Sequence, residues 1–178
     1  MPAKTESPGN RMRYRAARRA FIAACEKAHI DAVARLHPSK GPDGKPLFMD
    51  CAALGPRHAA RAVLVVGHDA AGTDLLIQLL GTVSAPKDAR LVLVHAFDPA
   101  RFAGVPGDAV WPQAMMGAVA TEDLSHVRDL SVISLAIDGG NLKAAIQEKL
   151  PQAAVTILPP VSDAAKARAS ITAFFSGG

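Results

Sequence analysis

The chain has 178 residues, of which 49% are hydrophobic, 20% charged and 4% aromatic, with a net charge of +4. Apolar residues this plentiful exclude a disordered polymer, and the longest apolar runs, Ala62–Gly67 and Leu91–Ala96, are too short to span a bilayer. Two cysteines, Cys25 and Cys51, cannot build a disulfide framework or a zinc ribbon.

The charge is unevenly placed. Residues 1–40 hold nine Lys/Arg against three Asp/Glu, whereas residues 41–178 hold eleven against thirteen. The basic run Arg11, Arg13, Arg15, Arg18 and Arg19 reads either as a solvated helix face or as a surface for an acidic partner. Only Tyr14 and Phe21 lie near it, and no nucleic-acid-binding motif surrounds it, so no specific nucleic acid is expected. Met1–Ala20 offers no apolar stretch after a basic start, which leaves the cytoplasm as the expected compartment.

In chain order, residues 1–10 read as a flexible tail and 11–178 as one α/β domain. A helix is predicted over Arg11–Leu36, because Tyr14, Ala17, Phe21, Ala24, Cys25, Ala28, Ala32 and Leu36 recur at helical spacing. His37-Pro38 ends it, since a residue before proline avoids the α region. Lys40–Pro46 is a turn built on Pro42-Asp43-Gly44. Leu47–Leu54 is a strand, and Gly55–His58 is a second turn.

The remainder alternates. Strands are predicted at Arg61–Val66, Arg90–Ala96, Leu130–Ile137 and Ala153–Leu158. Helices are predicted at Thr73–Leu80, Asn141–Leu150 with Asn141 as N-cap, and Ser162–Phe175 with Ser162 as N-cap. Continuous apolar strands are strands covered on both faces. The expected fold is a three-layer α/β/α sandwich with a mostly parallel or mixed sheet. Phe97–His126 carries Pro99, Gly104, Pro106, Gly107, Pro112 and Gly117, and reads as a long irregular connection. Its Trp111, Met115 and Met116 suggest a lid or a partner surface.

Sites in such sheets form beyond the carboxyl ends of the strands. There the sequence places His68 and Asp69, then Asp98, then Asp138. One imidazole and three carboxylates suit a divalent metal or acid–base work. Gly67, Gly72, Gly140 and Asn141 could hold an anion on backbone amides. Gly67-x4-Gly72 lacks the Lys-Ser/Thr ending of a phosphate loop, and no Gly-x-Ser-x-Gly elbow occurs. His95 reads as a satisfied core histidine, and both cysteines read as small core residues.

Three segments carry a resemblance. They are Ala17–Ala28, then Lys40–Leu47 with Ala53-Leu54-Gly55-Pro56, then Val63-Leu64-Val65-Val66-Gly67-His68. With Val92–Pro99 and Phe102-Ala103, they resemble bacterial proteins related to zinc carboxypeptidases, the domain-of-unknown-function family 2817. The resemblance covers residues 14–104 and implies a carboxypeptidase-like core. It also implies a zinc held by a His, a Glu three residues later and a His after a later strand, with an Arg- and Asn-rich substrate loop and a late Glu as general base.

Carried over, His68 matches the first ligand. The Glu position falls on Ala71. Gly104–Met116 contains no Arg, the later strand ends in Asp138-Gly139-Gly140, and no Glu follows Glu148. A catalytic zinc needs three protein ligands and an open position. Zinc is therefore not expected. The resemblance suggests a shortened, non-catalytic relative with a binding or assembly role, its partner another protein or a second copy. The alternative is a metal-dependent hydrolase remodelled around His68, Asp69, Asp98 and Asp138.

Overall fold

The computed structural model describes residues 8–106, 110–135 and 142–177, with side chains from Arg13 onward. Helix α1 spans Pro8–Lys27, followed by strands β1 (Ala32–Lys40), β2 (Pro46–Leu54) and β3 (Arg61–Gly67). Then come α2 (Ala70–Leu80), β4 (Ala89–His95), α3 (Pro99–Phe102), α4 (Val110–Asp123) and β5 (Asp129–Leu135). The chain continues with α5 (Leu142–Lys149), β6 (Ala154–Ile157) and α6 (Ala164–Ser176).

The six strands form one mixed sheet in the order β1-β2-β4-β3-β5-β6. β4, β3, β5 and β6 are parallel neighbours, and β2 runs antiparallel to both β1 and β4. Alternation along each central strand sends side chains to opposite faces. Val63 and Val65 meet Phe21 and Cys25 of α1, Leu76 and Leu79 of α2 and Ile171 of α6. Leu64 and Val66 meet Met116 and Val119 of α4 and Ile146 of α5. This is the three-layer α/β/α sandwich, and burial on both faces explains why the central strands carry no polar alternation. Each fully buried Leu or Val contributes about 2 kcal/mol of hydrophobic stabilisation. Among the described residues, no helix is long and apolar enough to cross a membrane.

Two stretches differ from the sequence reading. The first helix ends at Lys27, not Leu36. His29 takes a left-handed conformation with φ 56°, and the Ile30 N–H donates to the Cys25 carbonyl, closing the helix C-terminus. Ala32–Lys40 is strand β1, with His37 and Pro38 inside it. Ala32 and Leu36 are four apart, and an even spacing shares one face of a strand as well as one face of a helix. Pairing with β2 decides between them. Pro38 is tolerated because β1 is an edge strand.

The second is Phe97–His126, which holds α3 and α4 where a loop is expected. Pro99 sits at the start of α3 and Pro112 in the first turn of α4, where a missing N–H costs little. Gly104, at φ 79°, lies just past α3, and Gly117 packs against the Lys149 side chain of α5. Met116 is fully buried, while Trp111 and Met115 are partly buried against the same core, so these residues serve packing. At α6 the N-cap is Asp163, whose carboxylate accepts from Ala165 N at 2.7 Å, and not Ser162. Residues 1–7 of the expected tail, and Asn141 as the expected cap of α5, lie outside the described residues.

Candidate functional site

The parallel strands β3 and β5 end side by side, with Val66 opposite Ser134 and Gly67 opposite Leu135. His68 follows β3 directly. Its Nε2 lies 2.8 Å from Ser134 Oγ, and its ring sits edge-on to Phe97 at 5.4 Å. Burial pushes the imidazole below its ordinary value, with Asp69 opposing, so the ring is neutral at pH 7. The imidazole thus ties the ends of β3 and β5 together.

The two described carboxylates at this edge are engaged elsewhere. Asp69 is the N-cap of α2, its Oδ1 accepting from Gly72 N at 2.8 Å. Asp98 is the N-cap of α3, its Oδ1 accepting from Arg101 N at 3.0 Å. Each answers an unpaired N–H of a first helical turn. Ala71, where the resemblance implies a Glu, has no donor atom and is exposed. Among the described residues, no group of three or more His, Cys, Asp or Glu side chains converges to hold a metal. The described donors at this edge, one imidazole and two helix-capping carboxylates, do not converge into a zinc ligand set. Asp138, Gly140 and Asn141 lie outside the described residues.

Gly67 and Gly72, two of the four positions expected to hold an anion, are closely packed against each other and Leu76. A Cβ on Gly72 would stand 3.2 Å from Gly67 Cα, and one on Gly67 would stand 2.9 Å from Leu76 Cδ1. Both allow α2 to lie close on β3. Gly67→Ala should therefore cost about 1–2 kcal/mol through overpacking. A urea midpoint equal to that of the unchanged chain would refute this.

A second polar cluster lies across the sheet at β2 and β4, and sequence reasoning missed its centre. Asp50 is fully buried and stands opposite His95 in the β2–β4 register. Arg18 of α1 grips the Asp50 carboxylate with Nε at 2.8 Å and a terminal nitrogen at 2.9 Å, and its guanidinium lies 4.2 Å over the Phe48 ring. His95 Nδ1 is 3.5 Å from Asp50 Oδ2, and the imidazole stacks on Phe21 at 5.0 Å. His95 is buried as expected but poorly satisfied: Nδ1 reaches only Asp50, at the outer limit of hydrogen-bond length, and Nε2 has no partner among the described residues. Tyr14 completes the group: its hydroxyl donates to the Phe48 carbonyl at 3.0 Å and accepts from Phe48 N at 2.7 Å. Burial alone would raise the Asp50 carboxyl, but His95 and Arg18 outweigh it and hold it below the carboxylate range. A lone Asp inside Leu47–Leu54 was the available signal, because a carboxylate in an apolar strand demands a cation.

The basic face is correspondingly reduced. Arg15 is bound to Asp43 at 2.9 Å and holds that carboxyl down to about 2, and Arg18 is committed to Asp50. Arg19 is exposed, and the Arg11 side chain lies outside the described ones. A groove of about 270 Å³ along α1 is lined by Arg15, Arg18, Arg19, Ile22, Ala23 and Glu26. Burial pushes the Cys25 thiol up to about 11 and the Cys51 thiol up to about 12, so neither is a nucleophile at pH 7.

This architecture is a three-layer α/β/α domain on a mixed six-stranded sheet. The chain belongs to the family described as "Protein of unknown function (DUF2817)", whose model matches residues 11–104. No curated protein matches the sequence. Among solved structures, an aspartoacylase family protein from Mesorhizobium loti is 12% identical, with a TM-score of 0.51 over 82% of this chain and 67% of that one. That likeness establishes the fold. A glutaminyl cyclase from Macrostomum lignano is 15% identical, with a TM-score of 0.41 over 76% of this chain and 53% of that one. The chain spans about half the length of the glutaminyl cyclases it matches, 53% and 51%.

Proposed function

We propose that this chain is a non-catalytic member of its family, with a binding or assembly role. The supporting observation is what happens at the first zinc-ligand position. His68 is hydrogen-bonded to Ser134, and the neighbouring Asp69 and Asp98 carboxylates cap helices. The polar groups that a hydrolase would aim at a metal and a substrate here join strands and start helices. In this reading residues 11–178 act as one α/β domain in the cytoplasm.

Metal analysis of the purified chain, with and without His68→Ala and Asp138→Ala, tests it. We expect zinc well below one per chain in all three, with no hydrolysis of acylated amino acids or of peptide C-termini. Stoichiometric zinc that disappears in His68→Ala would overturn the reading and restore a remodelled metal-dependent hydrolase.

A further inference from the structure

β1 is the outermost strand, and among the described residues no strand pairs with its free edge. Edge strands usually carry a proline, a bulge or an outward charge that blocks further pairing. β1 carries such devices in its second half alone. Pro38 lacks an N–H, and the register against β2 shifts between Leu36 and Lys40. From Ala32, opposite Ala52, to Leu36, opposite Phe48, the register is unbroken. The one charge in this stretch, Arg35, is held down on Glu122 at 2.6 Å with its side chain only 12% exposed. Val33 is 54% exposed and Leu36 61% exposed, two of the three large exposed apolar residues among those described. An open backbone edge thus coincides with exposed apolar side chains and no free charge.

We infer that Ala32–Leu36 is the contact of a two-fold dimer, in which the β1 strands of two copies pair antiparallel and the two sheets become one. This rests on the binding role proposed above, but not on the state of the zinc position. Symmetry restricts the register. Directly opposite residues of an antiparallel pair share a face, and a two-fold axis perpendicular to the sheet keeps each residue on its own face. The axis must therefore pass midway between the two copies of one residue, which stand opposite each other.

Centring on Ala34 pairs the whole regular stretch with its own copy. Ala34 and Leu36 share the α1 face, because they stand opposite Asp50 and Phe48, which Arg18 of α1 covers. On that face each Leu36 meets the other copy's Ala32, with the two small Ala34 residues between them. On the α4 face, set by Arg35 on Glu122, each Val33 meets the aliphatic stem of the other copy's Arg35. No like charges are opposed. Centring on Arg35 would set two guanidinium side chains against each other. Centring on Val33 would carry Leu36 past the stretch to face Ile30. The segment is complementary to itself, which favours a second copy over a foreign strand as its occupant.

A pair of five-residue strands is small beside the roughly 1,200–2,000 Å² of a standard stable interface, so the dimer dissociates on dilution. Light scattering on the full chain across a concentration series should give the mass of two chains at high concentration, falling toward one on dilution. Leu36→Lys should stay at one chain throughout, with an unchanged circular dichroism spectrum. A short thiol cross-linker should join Ala34→Cys into linked pairs, and Val33→Cys far less; the native cysteines are buried. A single-chain mass at every concentration overturns the dimer, whatever other protein is later found at this edge. Linking of Val33→Cys in preference to Ala34→Cys overturns the register. Zinc content, measured separately, decides the non-catalytic reading in either case.

Discussion

Arg18→Ala should cost about 3 kcal/mol of folding stability, among the larger losses that a single substitution outside the hydrophobic core can produce. The Asp50 side chain is 0% exposed while that of Arg18 is 26% exposed. Removing the guanidinium strands a buried carboxylate, and its remaining polar neighbour, His95, stands at 3.5 Å and is neutral. Breaking a buried pair from one side costs about 3–5 kcal/mol, and the lower end applies here because Arg18 is partly solvated. The contact over Phe48 is lost too. The reverse substitution, Asp50→Ala, should cost less, since the freed Arg18 can turn to water. Arg18→Met with Asp50→Leu should recover most of the loss, because an apolar pair of similar volume leaves no charge behind. Urea titrations of the four proteins check this. A loss under about 1 kcal/mol for Arg18→Ala would mean that water reaches Asp50.

Stability should also fall as pH drops from 7 to 5, well before carboxylates titrate. Burial holds His95 below the ordinary histidine value, and Asp50 opposes this without reversing it. An unfolded chain takes up a proton at this imidazole near pH 6.5, whereas the folded chain does so only at lower pH. Between the two values the unfolded state binds more protons, so stability rises with pH across that window. The contribution of neutral His95 is fully present above about pH 6.5 and is lost as pH falls. Within that window the slope approaches about 1.4 kcal/mol per pH unit. His68, lowered by burial too, acts in the same direction.

Asp50 has the opposite shift. Its lowered folded value gives stability that is present above about pH 4 and lost only as pH falls through the folded value, so its window lies below that of the histidines. The groups facing His95 are Asp50, Arg18 and the rings of Phe21 and Phe102. His95→Gln should therefore flatten the profile between pH 7 and 5 whatever its effect on absolute stability. An unchanged slope would refute the assignment.

Much of the sheet was legible from local pattern. Arg61–Val66 and Arg90–Ala96 read as buried strands because they are continuous apolar runs with β-branched residues, and they form β3 and β4 at the centre of the sheet. The departure from the ligand pattern that the resemblance implies was legible in the same way, since Ala71 has no ligand atom in any conformation. The failures were also local in origin. Alanine-rich spacing at Ala28, Ala32 and Leu36 fits a helix and a strand alike, and the prolines of α3 and α4 look like loop punctuation until their place in the first helical turn is known.

What the sequence determined by itself is a layered α/β fold with a basic first helix, and a single residue, His68, that matches the ligand pattern the resemblance implies. Those properties depend on residue identity and short-range periodicity. Tertiary structure alone decided the roles of the polar groups. It set Asp50 beneath Arg18, 32 residues away in the chain, and turned His68 onto Ser134, 66 residues away. It gave Asp69 and Asp98 to helix starts, and it left Ala32–Leu36 open at the edge of the sheet. The physical reason is that a buried charge or an unpaired backbone edge is defined by what other parts of the chain bring to it. Periodicity reports which way a side chain faces, and only packing reports what it faces.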